Sequence, residues 1–318
     1  MAAHAHSQSN DSNPPSSKQD FLTLLDLPAE ALQQIVEAAK RSRVRHTATQ
    51  LHQPLIGRTA GLILELNSTR TRVGFEAGMH QLGGHTVLLD SKTSQLGRGE
   101  PIADTARVLS EMLDAIIIRT LAQSTVTELA EYASVPVINA MTGKYHPLQL
   151  LADVQTFEEL RGPISGANVA FVGDGYNMCH SYINAARQWG FQLKIACPKG
   201  FEPDPDILAA ANGATLVDSP SEAVTDADLV VTDVWSSMGH EAEQAKRLAA
   251  FASYQVNEGL LDQASSDVLF MHCLPAHRGE EISETLFDDP RSAVWQEAGN
   301  RMHTQKALLC YLLGVDLG

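Results

Sequence analysis

The string Ser68-Thr69-Arg70-Thr71-Arg72 stands where a short apolar run, Thr59–Leu64, gives way to a helical pattern that continues through Gln81. Helix N-termini expose unpaired N–H groups and a partial positive charge, so they attract anions. The hydroxyls at 68, 69 and 71 add donors, and Arg70 adds a bidentate, charge-assisted grip suited to phosphate oxygens. Any one of these residues would fit an ordinary N-capped helix with solvated arginines; the whole string together points to an anion cradle. Other polar groups stand at the ends of other apolar runs. Arg119 follows Ala115–Ile118, Asp174 and Asn177 follow Asn168–Val172, Asp233 follows Leu229–Thr232, and Cys273 follows Val268–Met271. His146 closes the polar stretch that begins at Ala140. In parallel α/β sheets, ligands bind beyond the carboxyl ends of the strands, which is where all these groups would lie.

The elements that must position them alternate. Pro28–Lys40 has apolar residues at helical spacing, and Gly83-Gly84 ends the helix that starts at the 68–72 string. Strands are expected at 59–64, 86–89, 115–118 and 136–139, with helices over 102–112 and 125–134 between them. The pattern restarts after a helical stretch, 147–160. Strands fall at 168–172, 192–196, 215–217, 229–232 and 268–271, with helices to Trp189, over 207–212 and over 300–313. Such alternation means βαβ units and mostly parallel sheets. The expected fold is α/β: two doubly wound parallel-sheet domains of similar size. Residues 19–148 and 149–292 form the two halves, and the final helix, within 293–318, packs back on the first.

A chain of 318 residues suits two domains and can bury a large core without staples. The formal charge of −15 disfavours nucleic acid and anionic membranes as partners, and requires any anionic substrate to be held by a local arginine cluster. Cys179, Cys197, Cys273 and Cys310 form no CxxC pair and no zinc-like spacing, so reduced thiols and no metal are expected. No apolar run is long enough to span a bilayer. The start lacks both a signal-peptide pattern and the arginines of a mitochondrial presequence, and residues 1–18 read as a disordered polar tail. The expectation is a cytoplasmic protein.

The 68–72 string resembles the carbamoyl phosphate motif of the aspartate and ornithine carbamoyltransferases. His146-Pro147-Leu148-Gln149 resembles that family's HPxQ, with Leu151-Ala152-Asp153 matching the LAD that follows. Asp233-Val234-Trp235-Ser236-Ser237-Met238-Gly239 resembles the ornithine-type DxWxSMG, and His272-Cys273-Leu274-Pro275 matches the ornithine-type HCLP. The resemblance runs from about Phe21 to about Leu313. It implies carbamoyl transfer from carbamoyl phosphate to the side-chain amine of L-ornithine, giving citrulline and phosphate in arginine biosynthesis, with no metal or organic cofactor. It implies a homotrimer, or a multiple of one, with Gln95 inserted into the neighbouring subunit's site. It assigns Ser68, Thr69, Arg70, Thr71, Gln95, Arg119, His146, Gln149, Cys273, Leu274 and Arg301 to carbamoyl phosphate. It assigns Asn177, Asp233, Ser237, Met238, Cys273 and Leu274 to ornithine, and Arg119, His146, Cys273 and Arg301 to catalysis.

Three positions depart from the family pattern. Leu64-Glu65-Leu66-Asn67 lacks the usual lysine, Tyr176-Asn177 keeps only the second asparagine of a usual pair, and Gly299 stands where glutamate is usual. Rival readings were a nicotinamide-dependent dehydrogenase, a relative with another acceptor amine, and a non-catalytic binding protein. Gly173-Asp174-Gly175-Tyr176-Asn177-Met178 begins like a GxGxxG loop but has Met178 in place of the third glycine. Asp233 suits an α-ammonium, which acylated ornithines lack, and every phosphate-gripping side chain is present.

Overall fold

The computed structural model describes residues 18–50, 52–90, 99–236 and 244–317. Of the expected tail only Lys18 lies within these ranges, and it belongs to the folded body, with its ammonium donating to the Ala133 carbonyl at 3.0 Å.

Chain order runs α1 (Ala29–Thr47), β1 (Thr59–Leu64), α2 (Thr69–Gln81), β2 (His85–Asp90), α3 (Ile102–Ser110), β3 (Ala115–Arg119), α4 (Gln123–Tyr132), β4 (Val137–Met141) and α5 (Pro147–Arg161). The second half has β5 (Asn168–Val172), α6 (Asn177–Trp189), β6 (Gln192–Ala196), α7 (Pro205–Ala209), β7 (Ala214–Leu216), α8 (Pro220–Val224) and β8 (Leu229–Thr232). It closes with α9 (Gln244–Phe251), α10 (Glu258–Leu261), β9 (Leu269–His272) and α11 (Val294–Leu312).

The strands form two all-parallel sheets, ordered β2-β1-β3-β4 and β7-β6-β5-β8-β9. Strands β3, β4, β8 and β9 are buried at every position, as runs such as AIII and LVV require when helices cover both faces. Each sheet reverses winding direction at its centre, between β1 and β3 and between β5 and β8. Those switch points open crevices at the carboxyl ends of the strands.

Helix α5 is buried on all sides from Pro147 to Phe157, its polar residues Gln149, Asp153, Gln155 and Thr156 included. Elements α1, α6, α11 and β4 enclose it. The final helix α11 packs on α1, α2 and α5, returning to the first half as expected.

Two helices are longer than their apolar patterns indicate. α1 continues past Lys40 through RSRVRHT to Thr47, because Ser42 is buried opposite His303 of α11, with Oγ and Nδ1 3.3 Å apart. α11 begins at Val294, not Asn300; Gly299 hid the first turns, since glycine in a helix interior is unfavourable by about 1 kcal/mol.

Candidate active site

Both crevices open into one cavity of about 520 Å³, a size typical of small-ligand sites. One wall is built at the ends of β1, β3 and β4. Ser68 caps α2, its Oγ accepting from the Thr71 N–H at 3.3 Å and its hydroxyl donating to Thr71 Oγ1 at 3.0 Å. Ser68, Thr69 and Arg70 line the cavity over this helix start. Arg119 enters from β3 at a shift in the β3–β4 register, the kind of irregularity that re-aims a side chain. His146 caps α5 and is fixed by its N–H donating to Ser181 Oγ at 2.7 Å. Arg301 reaches in from α11, with Nη2 donating to Thr71 Oγ1 at 3.3 Å and Nη1 to Gln149 Oε1 at 2.9 Å.

This wall concentrates positive charge. Arg119 and Arg301 are 6% and 3% exposed; burial, with repulsion from Arg301 and Arg70 in the first case and from Arg70 in the second, lowers each guanidinium to about 10. His146 is held well below its usual range by burial first, then by Arg301, Arg119 and Arg70; it is a neutral imidazole at physiological pH. Arg70 Nε, Arg119 Nε, Arg301 Nε and His146 Nδ1 are buried without a hydrogen-bond partner in the protein. Buried donors of this kind are costly unless something accepts from them. An anion with several acceptor oxygens is the group that would.

The facing wall comes from the second sheet. Asp233, at the end of β8, accepts from the Val234 N–H at 2.8 Å and from the Cys273 thiol at 3.1 Å. Burial raises the Asp233 carboxyl, and burial plus the Asp233 charge push the Cys273 thiol well up. Cys273 therefore serves as a hydrogen-bonding thiol, not a thiolate nucleophile. Leu274 adopts a left-handed backbone at φ 56, unusual for a branched residue and costing about 1–3 kcal/mol. Its N–H donates to His272 Nδ1 at 2.9 Å, while His272 Nε2 faces Glu281 Oε1 at 3.1 Å. That pair holds the 272–275 turn in shape. Asn177 opens α6 and donates to the Thr142 carbonyl at 2.7 Å, linking the two walls.

Asp233, His272 and Cys273 place a carboxylate, an imidazole and a thiol within 4.8 Å of one another. Both ring nitrogens of His272 are already engaged, so a metal there would have to break one of those contacts.

The cavity thus gathers Ser68, Thr69, Arg70, Arg119, His146 and Arg301 opposite Asn177, Asp233, Cys273 and Leu274. Thr71 and Gln149 stand behind the wall, both completely buried. Gln149, expected against the substrate, instead touches Arg301, Asp153 and Glu297. Gln95, Ser237 and Met238 lie outside the described residues. Sequence reading had not assigned Leu121, Met141, Gly143, Tyr176, Met178 or His277, which also line the cavity. Tyr176 and Met178 flank Asn177 in a strand-end turn, and that neighbourhood was a usable signal; Leu121 and Gly143 carried none.

Residues 19–159 match the family model described as aspartate/ornithine carbamoyltransferase, carbamoyl-P binding domain, and residues 165–312 match the Asp/Orn binding domain of the same family. The ornithine carbamoyltransferase of Chromohalobacter salexigens is 56% identical over 295 residues, covering 92% of this chain and 97% of that one. The anabolic ornithine carbamoyltransferase of Pseudomonas aeruginosa is 54% identical over 294 residues, covering 92% and 96%. The solved ornithine carbamoyltransferase of Pyrococcus furiosus superposes with a TM-score of 0.90 at 44% identity, covering 94% of this chain and 98% of that one.

Proposed function

The chain belongs to the aspartate/ornithine carbamoyltransferase family, and from that premise we infer that it moves the carbamoyl group of carbamoyl phosphate onto the side-chain amine of L-ornithine. The products are L-citrulline and phosphate. The observation that carries this reading is the pairing of two opposed walls in one cavity. One offers three guanidiniums with unpartnered donors; the other offers the Asp233 carboxyl and the Cys273 thiol.

Ser68, Thr69, Arg70 and Arg119 would hold the phosphate at the start of α2, with Thr71 behind them bracing Ser68 and Arg301. Arg119, His146 and Arg301 would face the carbamoyl oxygen. Asp233 would hold the ornithine α-ammonium, with Asn177, Ser237 and Met238 about the amino-acid end. The neutral δ-amine, beside Cys273 and the Leu274 carbonyl, attacks the carbamoyl carbon. A C–N bond forms, the carbonyl electron pair moves onto oxygen, and its return breaks the C–O bond to phosphate while the amine's proton passes to the leaving phosphate. Buried donors already aimed at the developing oxyanion stabilise it without reorganisation. A neutral imidazole at residue 146 suits a hydrogen-bond donor, not a base. The raised Cys273 thiol disfavours a covalent S-carbamoyl (thiocarbamate) intermediate, which supports direct transfer.

We take residues 19–148 to serve carbamoyl phosphate and 149–292 to serve ornithine. The Pseudomonas relative is named anabolic, which favours a biosynthetic role in arginine metabolism. No described helix is long and apolar enough to cross a membrane, which fits the proposed cytoplasmic location.

The direct test offers ornithine, aspartate, putrescine and N-acetylornithine in parallel with carbamoyl phosphate. Turnover confined to ornithine is expected; turnover only with another amine overturns the acceptor assignment. We propose a homotrimer with Gln95 completing a neighbour's site. Mixing inactive Gln95→Ala and Arg119→Met subunits should then restore part of the activity, and no recovery in verified mixed oligomers would remove the shared site.

A further inference from the structure

Behind Arg301, away from the cavity, two carboxyl groups meet in the core. Asp153 on α5 and Glu297 on α11 are each 1% exposed and lie side by side, both accepting from the Gln149 amide nitrogen. Every carboxyl oxygen has a donor. Gln149 gives one amide hydrogen to Asp153 Oδ1 at 2.8 Å and the other to Glu297 Oε1 at 2.7 Å. The Tyr182 hydroxyl donates to Asp153 Oδ2 at 2.7 Å, and the His272 N–H donates to Glu297 Oε2 at 2.9 Å. Arg301 does not pair with either carboxyl through Nη1, which is spent on Gln149 Oε1.

Two buried carboxylates in contact cannot both ionise at moderate cost; one keeps a proton. We propose that Asp153 and Glu297 share a single proton and act as one monoanionic unit that fixes Gln149 and, through it, Arg301. The orientation of the Gln149 amide follows. With its NH₂ committed to both carboxyls, its oxygen must face Arg301, and the guanidinium is held in the cavity wall at the height of Thr71 Oγ1. The unit joins four elements, α5, α6, β9 and α11, at a point where the two halves of the molecule meet.

The charged and titratable neighbours agree with this state. Burial raises both carboxyls; the Asp153 charge raises Glu297 further, whereas the hydrogen bonds at Asp153 favour its ionised form, so the proton's main weight falls on Glu297. Burial likewise keeps Tyr182 of α6 a phenol and Cys273 after β9 a thiol, so neither adds charge. Arg301 of α11 supplies the one positive charge that a single carboxylate balances. Asp153 and Glu297 are positioning residues for the reaction, a role that rests on the functional reading above, whereas the shared proton does not.

The test uses the full-length protein. The parent should show the infrared carbonyl band of an un-ionised carboxylic acid at neutral pH, lost in Asp153→Asn and equally in Glu297→Gln. Each of these variants leaves one neutral amide beside one carboxylate, so kcat/KM should fall by only about tenfold. Asp153→Asn/Glu297→Gln removes the charge altogether and should lose about 10²-fold, the cost of a misplaced catalytic group. KM for ornithine should hold steady while the carbamoyl phosphate half suffers. Asp153→Ala should not match Asp153→Asn. A parent without the acid band, a band that survives both single amide variants, or single variants as damaged as the double one, would overturn the proposal; absence of the band in the parent does so even where a variant fails to fold. A parent with the band but no carbamoyl transfer would refute the functional reading and uphold the shared proton.

Discussion

Replacing Arg119 by methionine should make the protein more stable and nearly inactive. Arg119 is 6% exposed, and its guanidinium is lowered from its ordinary value to about 10 by burial and by Arg301 and Arg70. The fold therefore penalises the charged form at any pH below both values. At about 1.4 kcal/mol per pH unit, that penalty is roughly 3 kcal/mol. Methionine removes the charge and keeps much of the volume; imperfect repacking should return about 1 kcal/mol. The net gain expected from denaturant unfolding at pH 7.5 is about 2 kcal/mol. Loss of one preorganised donor to the transition state should lower kcat/KM for carbamoyl phosphate by about 10³-fold. The parent should also gain about 2.7 kcal/mol of stability at a carbamoyl phosphate concentration a hundredfold above Kd, and the variant almost none at that same concentration. A variant less stable than the parent would refute the claim that the free site is electrostatically strained. A stable variant that kept full turnover would refute the role of Arg119.

Further outcomes follow from other contacts. His303 is lowered to about 3, chiefly by burial and Lys306. The unfolded chain takes up this proton near 6.5 and the folded one does not, so stability falls as pH drops from 6.5 towards 3. At pH 5 the loss is about 2 kcal/mol, and His303→Gln should lack it in paired unfolding curves at pH 7 and 5; identical pH dependence would exclude His303 as a source. Asp233→Asn removes the charge that helps raise Cys273, so iodoacetamide should alkylate Cys273 at least about threefold faster at pH 8, the other cysteines being buried. An unchanged or slower rate would uncouple the pair. A Cβ at Gly143 would lie 2.3 Å from the Tyr176 hydroxyl. Gly143→Ala should cost about 1–3 kcal/mol, partly recovered by Tyr176→Phe; strictly additive unfolding energies would show that the contact is not the cause.

What the sequence disclosed divides by distance along the chain. The strands were legible because AIII or LVV has few alternatives to a buried parallel strand, and the Ser68 cap because a hydroxyl three residues before another in a strand-to-helix turn is a local signal. The contact that joins the two walls was not legible, since Asn177 and Thr142 are 35 residues apart. The interior behind Arg301 was not legible at all. Gln149 and Glu297 meet across 148 residues, and nothing local to either marks a partner. Glu297 sits in a stretch whose helical pattern Gly299 interrupts, so even its element was missed. Charged residues in a helix read as a solvated face; only the packing of α11 on α5 shows that Glu297 and Arg301 point inward.

Charge balance ties that hidden layer to the chemistry. The chain carries −15 overall, yet its cavity must attract a phosphate ester that is close to a dianion at physiological pH. Arg70, Arg119 and Arg301 contribute three positive charges to the wall, and His146 contributes none because burial keeps it neutral. Two full carboxylates behind Arg301 would leave a net charge of about one, too little for the substrate and costly to bury. A single shared charge leaves about two, matched to the incoming anion. Asp233 faces the cavity from the other side and remains for the ammonium of the second substrate. On this reasoning the proton between Asp153 and Glu297 does more than spare the fold a buried charge. It sets how positive the wall is, and adding a second negative charge there, by any substitution that forces both carboxyls to ionise, should weaken carbamoyl phosphate binding before it disturbs ornithine.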